Sequence, residues 1–142
     1  MKAHERTFVN KGWGHEDWIV NKPEYCGKLL FVKKDKRMSL HFHKLKDETF
    51  YCQSGTVKIE HYENPELDKL ATDWEAFDSG ILEHTVTFLS PGDSFYIPVG
   101  MRHSVSGLGR NCPDPSLFKD SEIFEFSTQH FDEDSYRIIQ GD

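Results

Sequence analysis

The segment 39–55, SLHFHKLKDETFYCQSG, concentrates side chains that bind metal ions. His41 and His43 are two residues apart, so both imidazoles lie on the same face if the segment is an extended strand. Glu48 adds a carboxylate five positions later. Imidazole and carboxylate groups together suit transition metals. The spacing therefore predicts part of a metal site, which a residue from another part of the chain must complete.

A second segment, 91–103 (PGDSFYIPVGMRH), can supply the missing ligand. Its Pro-Gly-Asp turn leads into a short strand, and Pro98-x-Gly100 then forms a corner. Because this corner bends the chain, His103 can begin the next strand with its side chain directed back toward the interior. We therefore expect His103 to meet the first histidine pair.

The elements that position these side chains read as short strands separated by frequent turns. Residues 37–43 and 56–62 alternate between polar and apolar side chains, whereas 28–33 (KLLFVK) is a short apolar run between two lysines. Short strands with frequent turns predict an all-β antiparallel sandwich or barrel. The expected strands cover 28–33, 37–43, 48–53, 56–62, 85–89, 94–97, 104–105 and 122–127.

Two segments break this pattern. Residues 64–80 are polar and have one or two possible helical turns, in which four apolar side chains share a face. Residues 110–120 contain two prolines and read as a loop. We expect one domain over residues 1–142 with insertions at about 64–80 and 110–120. The first insertion could be a lid over a barrel mouth or a surface segment without a functional role, and the sequence is compatible with both.

Composition narrows the function classes. The formal charge is −7 without a Lys/Arg block, which argues against nucleic acid as the main partner. Cys26, Cys52 and Cys112 match neither a zinc ribbon nor a disulfide framework, so we expect reduced thiols. The longest apolar run, 29–32, is too short to cross a bilayer. We expect a cytoplasmic protein without a membrane partner.

The two histidine segments together resemble the two motifs of the cupin superfamily. The resemblance implies a small jelly-roll barrel (a double-stranded β-helix) that binds one divalent transition metal. It also implies four metal ligands: His41, His43, Glu48 and His103. The matching positions are His41-x-His43-x4-Glu48-x6-Gly55 and Gly92-x5-Pro98-x-Gly100-x2-His103.

Two positions depart from the cupin pattern. Asp35 stands six residues before His41, where the first motif usually has glycine, and Gly107 stands where the second usually ends with asparagine. Neither position is a ligand in the cupin motif. The departures therefore concern the geometry of turns and leave the predicted ligand set intact.

Further segments resemble sugar-metabolising cupins. Residues 12–18 (GWGHEDW), 25–30 (YCGKLL), 123–127 (IFEFS) and 132–137 (DEDSYR) look like parts of the cupin domain of type II mannose-6-phosphate isomerases. The pattern from His41 to Glu48, HFHxxKxE, is similar to the D-lyxose isomerase family. Both resemblances imply aldose–ketose isomerisation of a sugar or sugar phosphate.

Such a reaction needs an acid or base that moves a proton between adjacent carbons. Lys46, which matches a lysine beside the substrate in D-lyxose isomerases, and Glu125 are the candidate catalytic residues. Glu16 and Asp93 are weaker candidates. Arg102 and Tyr96 are candidate substrate-binding residues: Arg102 could bind a phosphate or sugar oxygen, and Tyr96 belongs to an aromatic set that could stack on a sugar. We expect the remaining histidines to be non-ligands: His4, His15, His61, His84 and His130.

Ligand type alone does not choose among Mn, Zn, Fe, Ni and Co. Two alternatives to an isomerase stay open because one fold supports many functions. An Fe- or Ni-dependent dioxygenase would use the same ligands, and a non-catalytic cupin would bind sugar without turnover. Small cupins tend to dimerise, so we also expect a homodimer.

Overall fold

The computed structural model describes residues 6–109 and 112–142. Within them, eleven β-strands dominate, with one short α-helix and three short 3-10 helices. The helices are α1 Trp74–Asp78 and the 3-10 turns Pro65–Leu70, Pro115–Leu117 and Asp132–Asp134. The strands are β1 Thr7–Lys11, β2 Gly14–Lys22, β3 Tyr25–Val32, β4 Leu40–Phe42, β5 Glu48–Ser54, β6 Val57–Tyr62, β7 Thr85–Leu89, β8 Ser94–Ile97, β9 Arg102–Gly107, β10 Ser121–Ser127 and β11 Tyr136–Ile139.

The strands form two antiparallel sheets. The first has the order β1-β2-β3-β10-β5-β8, and the second has the order β11-β4-β9-β6-β7. The chain crosses repeatedly between them, since β4 lies in the second sheet while β3 and β5 lie in the first. The prediction of an all-β antiparallel fold is confirmed.

The main apolar core lies between the inner faces of the two sheets. On β3 the buried side chains alternate strictly, with Cys26, Lys28, Leu30 and Val32 almost inaccessible. Most of the core is apolar, but Lys28 is 2% exposed and polar residues gather at one end of the space between the sheets. The core residues are Trp13, Leu30, Val32, Met38, Phe50, Cys52, Val57, Ile59, Leu89, Ile97, Met101, Val105 and Ile123.

Three strands were not predicted from the sequence: β1, β2 and β11. The first two form a hairpin whose side chains are mostly polar, including Glu16, which lines a cavity. Their hydrophobic alternation is weak because several of their inward-facing side chains, such as Lys11 and Glu16, are polar and line the cavity. The predicted strand 37–43 is shorter than expected: only β4 is regular, and an isolated bridge joins Arg37 to Ser106.

The insertion at 64–80 forms the two helical turns that its sequence predicts. The side chain of Asn64 accepts a hydrogen bond from a backbone amide at the start of the 3-10 turn Pro65–Leu70, and that of Asp73 does the same at the start of α1. Its apolar side chains pack on the outer face of the second sheet, where Phe77 and Leu40 are completely buried. The insertion therefore covers the back of this sheet.

The two departures from the cupin motifs have a backbone explanation. Asp35 has φ 61°, a left-handed conformation that aspartate tolerates better than most residues, so it can replace glycine there. A Cβ at Gly107 would collide with the carbonyl oxygen of Lys33, so this position accepts only glycine in the observed backbone. None of the helices in residues 6–109 and 112–142 has the length and hydropathy that crossing a bilayer requires.

Candidate metal centre

Three histidines converge between the two sheets. His41 on β4 and His103 on β9 are direct cross-strand partners, so their imidazoles extend from the same face of the second sheet. His43 follows β4 and returns to that face. The ring centroids of His41 and His103 are 4.5 Å apart, and one ring nitrogen from each of the three histidines lies within 4.8 Å of the others.

Backbone carbonyls orient all three imidazoles. The Nδ1 atom of His41 lies 3.1 Å from the Ser39 oxygen, that of His43 lies 3.1 Å from the Asp134 oxygen, and that of His103 lies 2.9 Å from the Met101 oxygen. A carbonyl oxygen only accepts, so each Nδ1 carries the proton and each Nε2 keeps a free lone pair. This is the tautomer that a metal ligand needs.

Glu48 begins β5 and completes the group. Its Oε2 lies 3.3 Å from His43 Nε2, and its Oε1 lies 3.6 Å from His103 Nε2. Glu48 Oε2 and His103 Nε2 are buried without a hydrogen-bond partner. Unsatisfied buried polar atoms cost free energy unless a ligand completes them. Three convergent Nε2 lone pairs, with the Glu48 carboxylate beside His43 and His103, offer the ligand types that suit a divalent transition metal.

The protonation states favour metal binding. Burial, together with the neighbouring His103 and His43, holds the pKa of His41 well below its usual range. Burial alone would raise the pKa of Glu48, but the Lys46 ammonium holds it well below its ordinary value. Neutral imidazole and ionised carboxylate are the forms that coordinate metals.

Lys46 and Glu125 lie beside this group as a buried ion pair. Lys46 Nζ lies 3.0 Å from Glu125 Oε2 and 3.3 Å from Glu48 Oε2, and both Lys46 and Glu125 are almost inaccessible. Burial lowers the pKa of Lys46, but the Glu125 and Glu48 carboxylates outweigh burial and raise it. The lysine therefore stays an ammonium ion and links Glu125 to the candidate ligand Glu48.

A cavity of about 560 Å³ opens onto the four candidate ligands and Glu125. Its wall also includes Glu16 and Trp18 from β2, and Glu16 accepts a hydrogen bond from the Trp18 indole at 2.7 Å. Lys28 lies behind this pair, 3.5 Å from Glu16 Oε1 and 4.3 Å from the Trp18 ring centroid. The cavity wall thus combines polar and charged side chains with aromatic and aliphatic ones, and the cavity is large enough for a monosaccharide.

Arg102 and Tyr96 lie outside this cavity. Arg102 neighbours His103 on β9, so strand alternation directs its side chain to the opposite face, where it pairs with Asp68 at 2.8 Å. Tyr96 is 55% exposed and donates a hydrogen bond to Asp47. Asp93 is exposed and accepts from the Ser90 amide in a turn.

The other histidines are outside the three-histidine cluster. His15 stacks between Phe8 and Phe31, and His84 Nε2 lies 2.8 Å from Glu60. His61 Nε2 lies 3.0 Å from Thr87 Oγ1. His4 lies outside the described residues.

Two residues of the cavity region were missed by sequence reasoning. His130 lines the cavity, and its Nδ1 lies 3.0 Å from Lys46 Nζ. Nothing in its sequence neighbourhood indicates this position, because it follows β10 in an irregular segment. Lys28 could have been found, since it alternates in phase with Cys26, Leu30 and Val32 on a strand that is otherwise apolar.

The sequence model of the D-lyxose isomerase family matches residues 7–114, about three quarters of the chain. The chain belongs to the D-lyxose isomerase family. The match begins at β1 and includes His41, His43, Glu48 and His103. It confirms the resemblance that the pattern HFHxxKxE indicated.

More distant likenesses are to parts of longer chains. A mannose-1-phosphate guanylyltransferase from Sinorhizobium fredii (strain NBRC 101917 / NGR234) is 26% identical over 98 residues, 69% of this chain and 15% of that protein. The capsular polysaccharide assembling protein CapF from Staphylococcus aureus aligns with TM-score 0.69 and 17% identity over 96% of this chain and 35% of its own. Oxalate decarboxylase from Lactobacillus farciminis aligns with TM-score 0.67 and 13% identity, covering 94% and 34%.

These likenesses confirm the cupin fold. The chain spans about a seventh of the guanylyltransferase and about a third of each of the two solved structures. Because the two solved structures are less than 20% identical to this chain, they establish the fold alone. The chemistry has to be argued from the residues of the site.

Proposed function

We propose that this chain is a metal-dependent cupin that interconverts an aldose and a ketose, with a sugar or sugar phosphate as substrate. The observation that carries the proposal is the convergence of three imidazoles, each oriented by a backbone carbonyl, with the carboxylate of Glu48. We further propose that residues 1–142 form one cupin domain and that the protein acts in the cytoplasm.

His41, His43, Glu48 and His103 would hold one divalent metal from the set Mn, Zn, Fe, Ni and Co. When bound there, such an ion supplies positive charge that stabilises negative charge developing on the substrate oxygens. The Nδ1 contacts to the backbone fix the rings, so the site is assembled before the substrate arrives.

Glu125 is the proposed proton acceptor. It faces the cavity beside the metal ligands, and its Oε2 accepts from Lys46 Nζ at 3.0 Å. Because Lys46 stays protonated, it cannot take a proton from carbon. Its proposed role is to hold Glu125 and Glu48 in place and to stabilise their negative charge. An ionised Glu125 can then remove a proton from the substrate carbon and return it to the neighbouring carbon.

The cavity wall supports a sugar as the substrate class. Glu16, Trp18 and His130 offer hydrogen-bonding groups and an aromatic face of the kind that hydroxylated ligands use. A dioxygenase usually has a drier and more apolar pocket, whereas this wall carries several charged side chains. The family itself is named for a sugar isomerase, and the guanylyltransferase relative is named for a sugar phosphate.

Turnover is tested by incubating the metal-loaded protein with D-lyxose, D-mannose and D-mannose 6-phosphate in heavy water. We expect deuterium at the carbon beside the carbonyl and formation of a ketose with at least one sugar. Glu125→Gln should abolish both while retaining metal. Glu122→Gln is the matched control, since Glu122 lies on the same strand but on its outer face.

The possible outcomes separate the alternatives. Sugar binding without deuterium exchange in the metal-loaded wild type would leave a non-catalytic sugar-binding cupin. Oxygen consumption in the presence of an organic substrate would support the dioxygenase. Full exchange by Glu125→Gln would remove Glu125 from the mechanism.

We also propose that the protein forms a homodimer through the outer face of the first sheet. Phe8, Tyr25, Tyr96 and Phe126 are each at least 50% exposed there. At about 200 Å² per aromatic side chain, they expose roughly 450 Å² in total. Sedimentation equilibrium should give twice the chain mass, and Tyr96→Lys/Phe126→Lys should give a monomer; a monomeric wild type would exclude the dimer.

A further inference from the structure

Arg137 places a positive charge at the cavity next to the candidate metal centre. It lies on β11 directly opposite His41 on β4, so its side chain extends from the same face of the sheet as that imidazole. It is exposed and lines the cavity. Within residues 6–109 and 112–142, its guanidinium has neither a hydrogen bond nor an ion pair.

The carboxylate side chains of the cavity wall, in contrast, each have a cation or a hydrogen-bond donor beside them. This leaves Lys11 and Arg137 as the charged side chains of the wall that are without a partner in the described part of the chain. The unused charge of the cavity is therefore positive. The pairs are Glu16 with Trp18 and Lys28, Glu48 and Glu125 with Lys46, Asp132 with His130, and Asp142 with the Arg37 backbone amide.

A free guanidinium at the wall of a cavity recognises a planar or tetrahedral anion best, because it can donate two parallel hydrogen bonds to it. The whole protein carries a formal charge of −7, which repels anions from its general surface. A preference for anions would thus have to come from a local site.

We propose that the ligand of this cavity carries an anionic group, a phosphate or a carboxylate, which Arg137 binds while the sugar carbonyl end faces His41, His43 and His103. The inference rests on the proposed function, since it assigns the substrate class of the same cavity. Lys11 adds positive charge to the same wall. Neutral sugars bind more weakly because they leave the Arg137 guanidinium without a partner.

The test is isothermal titration calorimetry of the protein as purified, with its metal content measured on the same sample. The probes are D-mannose, D-mannose 6-phosphate and D-mannuronate, which share a ring and differ in the anionic group. We expect at least one anionic probe to bind roughly tenfold or more tightly than D-mannose. Comparing phosphate with carboxylate assigns the anion.

Three variants localise the effect. Arg137→Ala should reduce the anionic preference about tenfold, and Arg137→Lys should restore part of it. Lys44→Ala is the charge-matched control and should change nothing, because Lys44 is exposed and stacks on Tyr136 away from the cavity. Equal affinity for neutral and anionic probes, or equal losses in Arg137→Ala and Lys44→Ala, would overturn the proposal.

The outcomes also separate this inference from the proposed function. An anionic preference that depends on Arg137 in a protein without metal or turnover would leave the anion site standing and reject the isomerase. If the protein instead binds metal and converts neutral sugars without preferring anionic ones, the isomerase would stand and the anion site would be rejected.

Discussion

The two faces of the second sheet hold two buried polar clusters that differ in how completely they are paired. Arg102 and His103 are neighbours on β9, but alternation places Arg102 under the insertion and His103 in the cavity. Likewise, Phe42 of β4 faces outward between two inward-facing histidines. One pair of strands therefore supports both clusters.

The outer cluster is satisfied. Arg102 donates to both carboxylate oxygens of Asp68 and to the Gly100 carbonyl, and its guanidinium lies 3.8 Å from the Phe42 ring centroid. The Tyr62 hydroxyl donates to the same Asp68. Such a network stabilises the packing of the insertion on the sheet.

The inner cluster is incomplete. Glu48 Oε2 and His103 Nε2 are buried without a hydrogen bond, and the two residues are neighbours, with Glu48 Oε1 3.6 Å from His103 Nε2. His84 Nδ1 and Ser106 Oγ are also buried without a hydrogen-bond partner. Among the described residues, however, the three-histidine group is the one whose potential metal-ligating atoms lie within 4.8 Å of each other. Burial of charge alone therefore does not indicate function; convergent atoms without partners do.

The largest expected effect concerns the insertion. Phe77 of α1 is completely buried against the outer face of the sheet. Phe77→Ala should lower the free energy of unfolding by about 4 kcal/mol through lost burial and a cavity, while metal content stays unchanged. Urea denaturation measures this, and the exposed Ile81→Ala is the control. Lost metal or turnover at unchanged stability would indicate that the insertion acts on the site.

The next largest effect concerns the satisfied cluster. Arg102→Ala should lower the free energy of unfolding by about 2 kcal/mol, since it removes the cation paired with Asp68 and the side-chain donor to the Gly100 carbonyl. The Asp68 side chain is 28% exposed, so water limits the loss. Arg6→Ala, which breaks an exposed pair with Asp17, should change little. A loss of sugar binding by Arg102→Ala at unchanged stability would contradict the structural role.

A smaller effect is expected from Ser39, whose Oγ lies 2.9 Å from His41 Nδ1. Ser39→Ala should weaken metal binding by up to about tenfold, because the Ser39 backbone oxygen still orients the ring. Competition with a chelating dye measures the affinity. Ser54→Ala, whose hydroxyl bonds Glu122 far from the site, is the control and should bind as wild type. Equal affinities for all three proteins would remove Ser39 from the ligand support.

The sequence predicted the positions that the cupin motifs constrain. His41 and His43 share a face because their spacing matches strand geometry, and the Pro98-x-Gly100 corner returns His103 to them. Alternation could also have placed Arg102, since an inward His103 requires its neighbour to point outward. In the structure, the opposite orientations of Arg102 and His103 follow from their neighbouring positions on β9.

Other features needed tertiary contacts. Alternation placed Glu125 opposite Phe124 and Phe126, but only the packed sheets show that Glu125 is the inward residue. The contact between His130 and Lys46 spans 84 positions and depends on how the chain returns after β10. The unpaired buried atoms Glu48 Oε2 and His103 Nε2 likewise come together only when strands distant in sequence pack against each other.

The central claim is that the inner cluster is a metal site, and metal content measured by mass spectrometry tests it most directly. The samples are wild type, His41→Ala/His103→Ala, and His15→Ala/His84→Ala, which removes two histidines outside the cluster. The account predicts close to one divalent metal per chain in wild type and in the control, and none in the cluster variant. No metal in wild type after reconstitution, or equal metal in all three folded proteins, would contradict it.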